Sequence, residues 1–297
     1  MISVKVSDEY VNLRIDKFLC KKFDISFAHS QKLIREKKVK INHVKADIAT
    51  KIVAYDLIEI YSSLNLRKNI ISPTKKINQA KIEKLHDKFW QYKIFEDDNL
   101  VVINKPSGLA SQGGTAVEYS VDDFVRKYQY HLVHRIDKDT SGILLIAKNK
   151  ICADFLLKSF KEKTITKTYI ALVAGRVKNS VGTINMPLLK KQLGKNEKVQ
   201  VDIEFGKPAI THYKVIKHHQ NYSELELNPV TGRTHQIRVH CKEIGHPILN
   251  DFKYGKLKAD FKKLFPRLCL HAFKVEIKDY FGSDLIIQTP YPNFTLN

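Results

Sequence analysis

Apolar residues recur at helical spacing in RIDKFLCKKF, residues 14–23, where Ile15, Phe18 and Leu19 share one face, and this predicts the first helix. A second is expected over QKLIREKK, with Ser30 as its N-cap, Leu33 and Ile34 inward, and Lys32, Arg35, Lys37 and Lys38 around them. VKINHVKAD and DLIEIY then alternate as strands. From residue 63 to 90 the periodicity fades, and seven basic residues stand against two acids, so this stretch reads as a basic linker able to touch phosphate. Beyond Tyr92, strand-like runs return (LVVINK, ILLIAK, TYIALVAG, SELELN, DLIIQT). Two helices accompany them, one over about residues 150–163 and one after Gly232, with Thr234 as its expected cap and Ile237, Cys241 and Ile244 on its apolar side. Strands outnumber helices without regular alternation, which disfavours a doubly wound parallel sheet. The expectation is an α+β protein: a small N-terminal α/β domain over residues 1–62, a linker over 63–90, and a larger domain over 91–297 built on a mixed, largely antiparallel sheet.

Composition narrows the partners. With 297 residues, 43% apolar and 28% charged, the chain has material for two ordinary cores. Lys and Arg number 51 against 31 acids, a net charge of +20, which favours a polyanion because each phosphate neutralised releases counterions. No apolar run is long enough to span a bilayer, and MISVKVSDEY lacks the layout of a signal peptide, so a soluble, cytoplasmic protein without a membrane partner is expected. Cys20, Cys152, Cys241 and Cys269 are scattered and read as small buried hydrophobes. His235 and His240 are five apart and do not share a helix face. Neither pattern suggests a zinc site.

Two segments could carry chemistry. In His134-Arg135-Ile136-Asp137-Lys138-Asp139-Thr140-Ser141-Gly142, two carboxylates and three cationic side chains precede an apolar strand, a place where a fold can hold a reactive group rigidly. In Thr231-Gly232-Arg233-Thr234-His235-Gln236-Ile237-Arg238-Val239-His240, the helix start is cationic. His235, Arg238 and Lys242 lie roughly opposite Ile237 and Cys241, where they could pair with the carboxylate loop or with phosphate. By residue type alone, a charged turn and a solvated helix face describe them as well.

HRIDKDTSG, KTYIALVAG, PVTGRTHQIRVH and GHPILNDFKYG together resemble the RluA-type pseudouridine synthases, and RIDKFL, QKLIREKKVKIN and DLIEI resemble an S4 RNA-binding domain. GKPAITHYKV, PLLKK and PRLCLHA are similar to members acting on the large ribosomal subunit. The resemblance covers nearly the whole chain. It implies isomerisation of uridine to pseudouridine in RNA, with 23S rRNA or a pre-50S particle as partner and no cofactor or metal. The family's nucleophile falls on Asp137 rather than Asp139, and an ionised Asp can add covalently and later leave. Arg135 matches the arginine that fills the gap left by the flipped base, Tyr169 the tyrosine that stacks on the uracil, Arg238 the ion-pair partner of the nucleophile, and Leu270 an apolar wall. Base flipping is needed because the glycosidic bond is out of reach inside a stack. RNA contacts are expected from His134, Arg135 and Arg233 at the site, and from Arg14, Lys17, Lys32, Arg35 and Lys38 in the S4-like domain. The chain departs from the family pattern at Gln112, Ile136 and Asn250, none expected to touch the nucleophile. A monomer is expected. A non-catalytic ribosome-assembly factor is the alternative, against which the joint presence of Asp137, Tyr169 and Arg238 argues. An aspartic protease is excluded because Asp139-Thr140-Ser141-Gly142 has no second copy to share a proton.

Overall fold

The computed structural model describes residues 1–62 apart from 24 and 26, then 89–113, 117, 119–193, 196–255 and 264–295. The chain divides into two compact units, at Lys81/Ile82. The expected linker, apart from Phe89 and Trp90, lies outside the described residues.

The first unit is a four-stranded sheet in the order β1 (Ile2–Lys5), β4 (Leu57–Ile60), β2 (Val39–Ile41), β3 (Val44–Lys45), with helices α1 (Ile15–Phe23) and α2 (Phe27–Arg35). Ile15, Phe18 and Leu19 from α1 meet Leu33 and Ile34 from α2 and Ile58 and Ile60 from β4 in one core. Two local expectations are corrected. Ser30 lies inside α2 rather than capping it, because its hydroxyl turns back to donate to the Phe27 carbonyl (2.9 Å). VKINHVKAD is a hairpin rather than one strand: Asn42 and His43 both adopt positive φ (48° and 69°), the two-residue turn whose twist suits antiparallel strands. The Asn42 side chain supports it by accepting from the Leu57 amide and donating to Asp56 (both 2.8 Å).

The second unit is the expected α+β domain on a largely antiparallel sheet. Its strands run β10 (Val181–Asn185), β13 (Ile210–His218), β14 (Tyr222–Pro229), β9 (Ile165–Ala174), β15 (Leu270–Tyr280), β8 (Ser141–Ala147), β6 (Leu100–Lys105), β5 (Lys93–Glu96). At its margins β7 (His131–Leu132) pairs β8, and β16 (Ser283–Gln288) pairs β15. A separate hairpin joins β11 (Leu188–Leu193) and β12 (Asn196–Val201). The middle of the sheet is where the chain is most apolar: every residue of β8 is buried. There β8 runs parallel to β15, which sets the start of both strands side by side. Gly142 allows this. A Cβ at that position would lie 2.2 Å from the Ala272 carbonyl oxygen, and its φ is +111°.

Helix α4 (Lys150–Glu162) forms as predicted, capped by Asn149. Helix α3 (Val121–Arg126) was not predicted. Six residues give too little periodicity, and the helix rests on a capping box between Ser120 and Asp123. Helix α5 (Gln236–Glu243) begins one residue later than expected, with His235 rather than Thr234 at the N-cap, in the left-handed region (φ 54°). Phe89 and Trp90 belong to this unit, Phe89 stacking on Phe124 at 4.8 Å.

Candidate active site

The loop carrying Asp137 is pinned from below. Ser111 donates to the Ile136 carbonyl (2.7 Å) and accepts from its amide (3.2 Å), while the Gly108 amide donates to the Lys138 carbonyl (2.9 Å). Lys105, fully buried at the end of β6, spends its three donors on the carbonyls of Pro106, Leu109 and Lys138 (2.9, 2.7 and 3.0 Å). Burial pulls this ammonium down to about 7, and Asp139 and Asp137 pull the other way. At the other end, His134 accepts from the Leu145 amide through Nε2 (2.8 Å) and packs on Phe160. Burial, with Lys167 nearby, lowers its pKa to about 3, so it is a neutral ring.

Arg238 reaches this loop from α5. Its Nε and Nη2 donate to the two oxygens of Asp251, both at 2.8 Å, a bidentate fork that leaves Nη1 to donate to Asp137 at 3.2 Å. The guanidinium is 6% exposed, Asp251 is fully buried and Asp137 is 20% exposed. Asp251 is itself held by the amides of Lys253 (3.0 Å) and Tyr254 (3.1 Å). Burial opposes the charge on Arg238, but Asp251 and Asp137 outweigh it and hold the group protonated beyond its ordinary range. Tyr254 lies under the guanidinium (5.2 Å to the ring centre), accepts from the Val199 amide (3.1 Å) and therefore donates to His235 Nδ1 (2.7 Å). The His235 proton then sits on Nε2, 3.9 Å from Asp137, and burial keeps this ring neutral against the pull of Asp137. Gln236 has all its polar capacity used on Thr231, Arg233, Ile210 and Thr211, which fixes the turn before α5.

Asp137 and Arg238 line a cavity of about 500 Å³ with His134, Arg135, Tyr169, Arg233 and Leu270. Tyr169 stands on β9 between Leu227 of β14 and Ala272 of β15. Burial first, and Asp137 second, push its hydroxyl well above its ordinary pKa, so it is a phenol and not a phenolate. Arg135 is exposed, and Arg233, also exposed, donates to the Pro208 carbonyl (3.1 Å). The arrangement is a carboxylate kept beside a fixed cation, next to an apolar and aromatic wall.

The other expected RNA-contacting residues, Arg14, Lys17, Lys32, Arg35 and Lys38, all lie in the first unit. Lys17, Lys32 and Arg35 are exposed; Arg14 pairs with the buried Asp16 (2.5 Å) and Lys38 with Glu36 (2.8 Å). Sequence reasoning missed Asp251, Tyr254, Lys105 and Ser111. The first two lie within GHPILNDFKYG, a segment noticed only as a pattern; an acid three residues ahead of a Tyr was the available signal. Among the described residues, no three His, Cys, Asp or Glu side chains are grouped to hold a metal, and no helix is long and apolar enough to cross a membrane.

A family model described as RNA pseudouridylate synthase matches residues 99–243, and the S4 domain model matches residues 13–54. The ribosomal large subunit pseudouridine synthase C of Rickettsia conorii is 36% identical over 294 residues, 95% of each chain. The protein of the same name from Vibrio vulnificus is 37% identical over 282 residues, 92% of this chain and 87% of its own. Among solved structures, human RNA pseudouridylate synthase domain containing 4 aligns with a TM-score of 0.61 at 25% identity, over 73% of this chain and 94% of its own. Human RNA pseudouridylate synthase domain containing 1 aligns at 0.59 and 29% identity, over 67% and 83%.

Proposed function

Because this chain belongs to the RNA pseudouridylate synthase family, we propose that it converts uridine to pseudouridine in the RNA of the large ribosomal subunit, with Asp137 as the nucleophile. The observation that carries the assignment of Asp137 is its contact with Arg238, a cation that Asp251 and Tyr254 hold in place. Such a partner holds the carboxylate beside a fixed positive charge, in place for attack. Asp139, two residues on, has no such partner among the described residues and is solvent-exposed.

The reaction breaks the bond from ribose C1′ to uracil N1 and joins C1′ to C5. The proton lost from C5 is balanced by one gained at N1. Asp137 adds covalently during the exchange and leaves as a carboxylate. Tyr169 stacks on the uracil, and because it stays protonated it is a donor and a surface rather than a phenolate base. Leu270 closes the apolar side, so the detached base turns without escaping. Arg135, exposed at the rim, takes the place of the flipped base, its guanidinium plane recovering part of the lost stacking. His134 and Arg233 line the entrance.

Residues 1–62 act in this reading as the RNA-binding domain, through Arg14, Lys17, Lys32, Arg35 and Lys38, and the basic stretch after them as the linker to the catalytic domain. The enzyme works as a monomer in the cytoplasm on 23S rRNA or a pre-50S particle.

The test is pseudouridine mapping of large-subunit rRNA after incubation with the wild type and with Asp137→Asn. Sites made by the wild type and reduced by at least about 10⁴-fold in rate with the variant support the assignment. Binding by both proteins with no pseudouridine from either would hand the chain to the binding-factor reading.

A further inference from the structure

A second cavity, of about 590 Å³, also borders Asp137. It shares Arg135, Asp137, His235 and Arg238 with the first, but its remaining wall is of another kind, with Lys138, Lys253 and Arg267 as cations and Phe252 at its edge. Arg238 is shared between Asp251 and Asp137, so that trio keeps one net negative charge, and Arg135, Lys138, Lys253 and Arg267 outnumber it and the carboxylate of Asp139.

Arg267 is the unusual member. It is mostly buried, and among the described residues no carboxylate reaches it. Its Nη1 donates to Ser141 (2.9 Å), its Nη2 to the Asn293 carbonyl (2.7 Å), and its plane packs on Phe294 (4.7 Å). Ser141, accepting from Arg267, donates to His271 Nδ1 (2.8 Å). His271 Nε2 donates to Thr289 (2.8 Å), and Thr289 donates to the Phe273 carbonyl (3.3 Å). Every partner is neutral. The chain of hydrogen bonds orients the guanidinium without cancelling its charge, and an unpaired, partly desolvated cation is costly unless an anion completes it. Phe252, 75% exposed, puts an apolar ring beside these cations. A fixed cation beside an exposed ring is the combination that holds a single RNA strand, phosphate on one and base on the other.

We propose that the second cavity is a nucleotide subsite, through which the RNA strand adjoining the flipped uridine runs with one phosphate on Arg267 and one unstacked base on Phe252. The inference rests on the reading of the first cavity as the uridine pocket. It extends that reading from one nucleotide to the local strand and makes the subsite a determinant of which uridines are chosen.

Phosphate-ethylation interference tests it, on the large-subunit rRNA fragment that the full-length protein binds most tightly, with pseudouridine mapped on the same fragment. With wild type, ethylation of one phosphate within about two nucleotides of the modified uridine is expected to weaken binding; with Arg267→Gln that signal disappears. The slope of log affinity against log salt should fall by about 0.7–0.9, one phosphate contact. Phe252→Ala, an exposed change that leaves the Arg267 network intact, should cost about tenfold in affinity. If Arg267→Gln lowers the melting temperature but leaves the interference pattern and salt slope of wild type, Arg267 is structural and the inference falls. Pseudouridine formed without any phosphate coupled to Arg267 would sink the subsite alone. The coupled phosphate without pseudouridine would sink the reaction and keep the subsite.

Discussion

Helices α2 and α5 carry the same kind of sequence, apolar residues set among cations, yet they end in opposite electrical situations. On α2, Lys32 is 67% exposed and 3.7 Å from Glu36, a loose pair that water and salt screen. On α5, Arg238 is 6% exposed and shared between two carboxylates. The cause is packing. Ile237 and Cys241 enter one apolar cluster while Val239 enters another with Leu188, Val199 and Tyr254, so α5 is covered on two sides. Helix α2 buries one stripe only. A cation on a one-sided helix stays mobile and adds affinity for any phosphate. A cation on a helix covered twice becomes a fixed part of a site, and costs much more to remove.

The sharpest way to break this comparison is Arg238→Ala. It strands the fully buried Asp251 without its partner, so a loss of about 3–5 kcal/mol in unfolding free energy is expected, together with loss of pseudouridine formation. Urea denaturation followed by Trp90, the single tryptophan and a residue of the second unit, reads it; a shift under about 1 kcal/mol would contradict the buried-pair account.

Acid comes next. Burial lowers the pKa of His271 to about 4 and that of His134 to about 3, and also lowers those of His235 and His240, all in the second unit. A depressed histidine supports the fold above its unfolded pKa of about 6.5. Below that the unfolded chain takes up protons first, so stability falls until the folded pKa is reached. For His271 alone this predicts a loss of about 3 kcal/mol between pH about 6.5 and about 4, seen as a falling urea midpoint by Trp90 fluorescence. A midpoint flat across that window would mean that these rings are not held neutral.

The smallest effects belong to α2 and the turn that follows it. Lys38→Glu is expected to lower RNA affinity by about three- to tenfold while the single-turnover rate at saturating RNA changes far less. Equal losses in both would erase the distinction between the two helices. Lys32→Ala should move stability by no more than about 0.5 kcal/mol, because its pair with Glu36 is exposed.

Much was legible in the chain itself. The apolar spacing located α1, α4 and the strands around β8, because burial on one face leaves a period that needs no knowledge of the partner. The charge excess pointed to nucleic acid, and the ordered motifs pointed to Asp137, Tyr169 and Arg238, which the fold brings to one cavity. Where local chemistry competed with periodicity, the pattern misled. Ser30 turned inward within a helix, Asn42 and His43 bent what looked like one strand, and His235 took the cap from Thr234. None of these carries the Gly or Pro that normally announces a turn.

What only the tertiary structure decided is the fate of each charge. Arg238 read equally as a solvated residue, because its neighbours in sequence do not reveal that Asp251 and Tyr254 fold against it. Lys105 and Arg267 gave no sign of being buried cations, one spent on three carbonyls and the other oriented by a neutral network. A sequence states which groups can be charged. Which of them stays in water, which is paired and which is held by neutral groups depends on distances of about 3 Å between segments far apart in the chain, and only folding sets those.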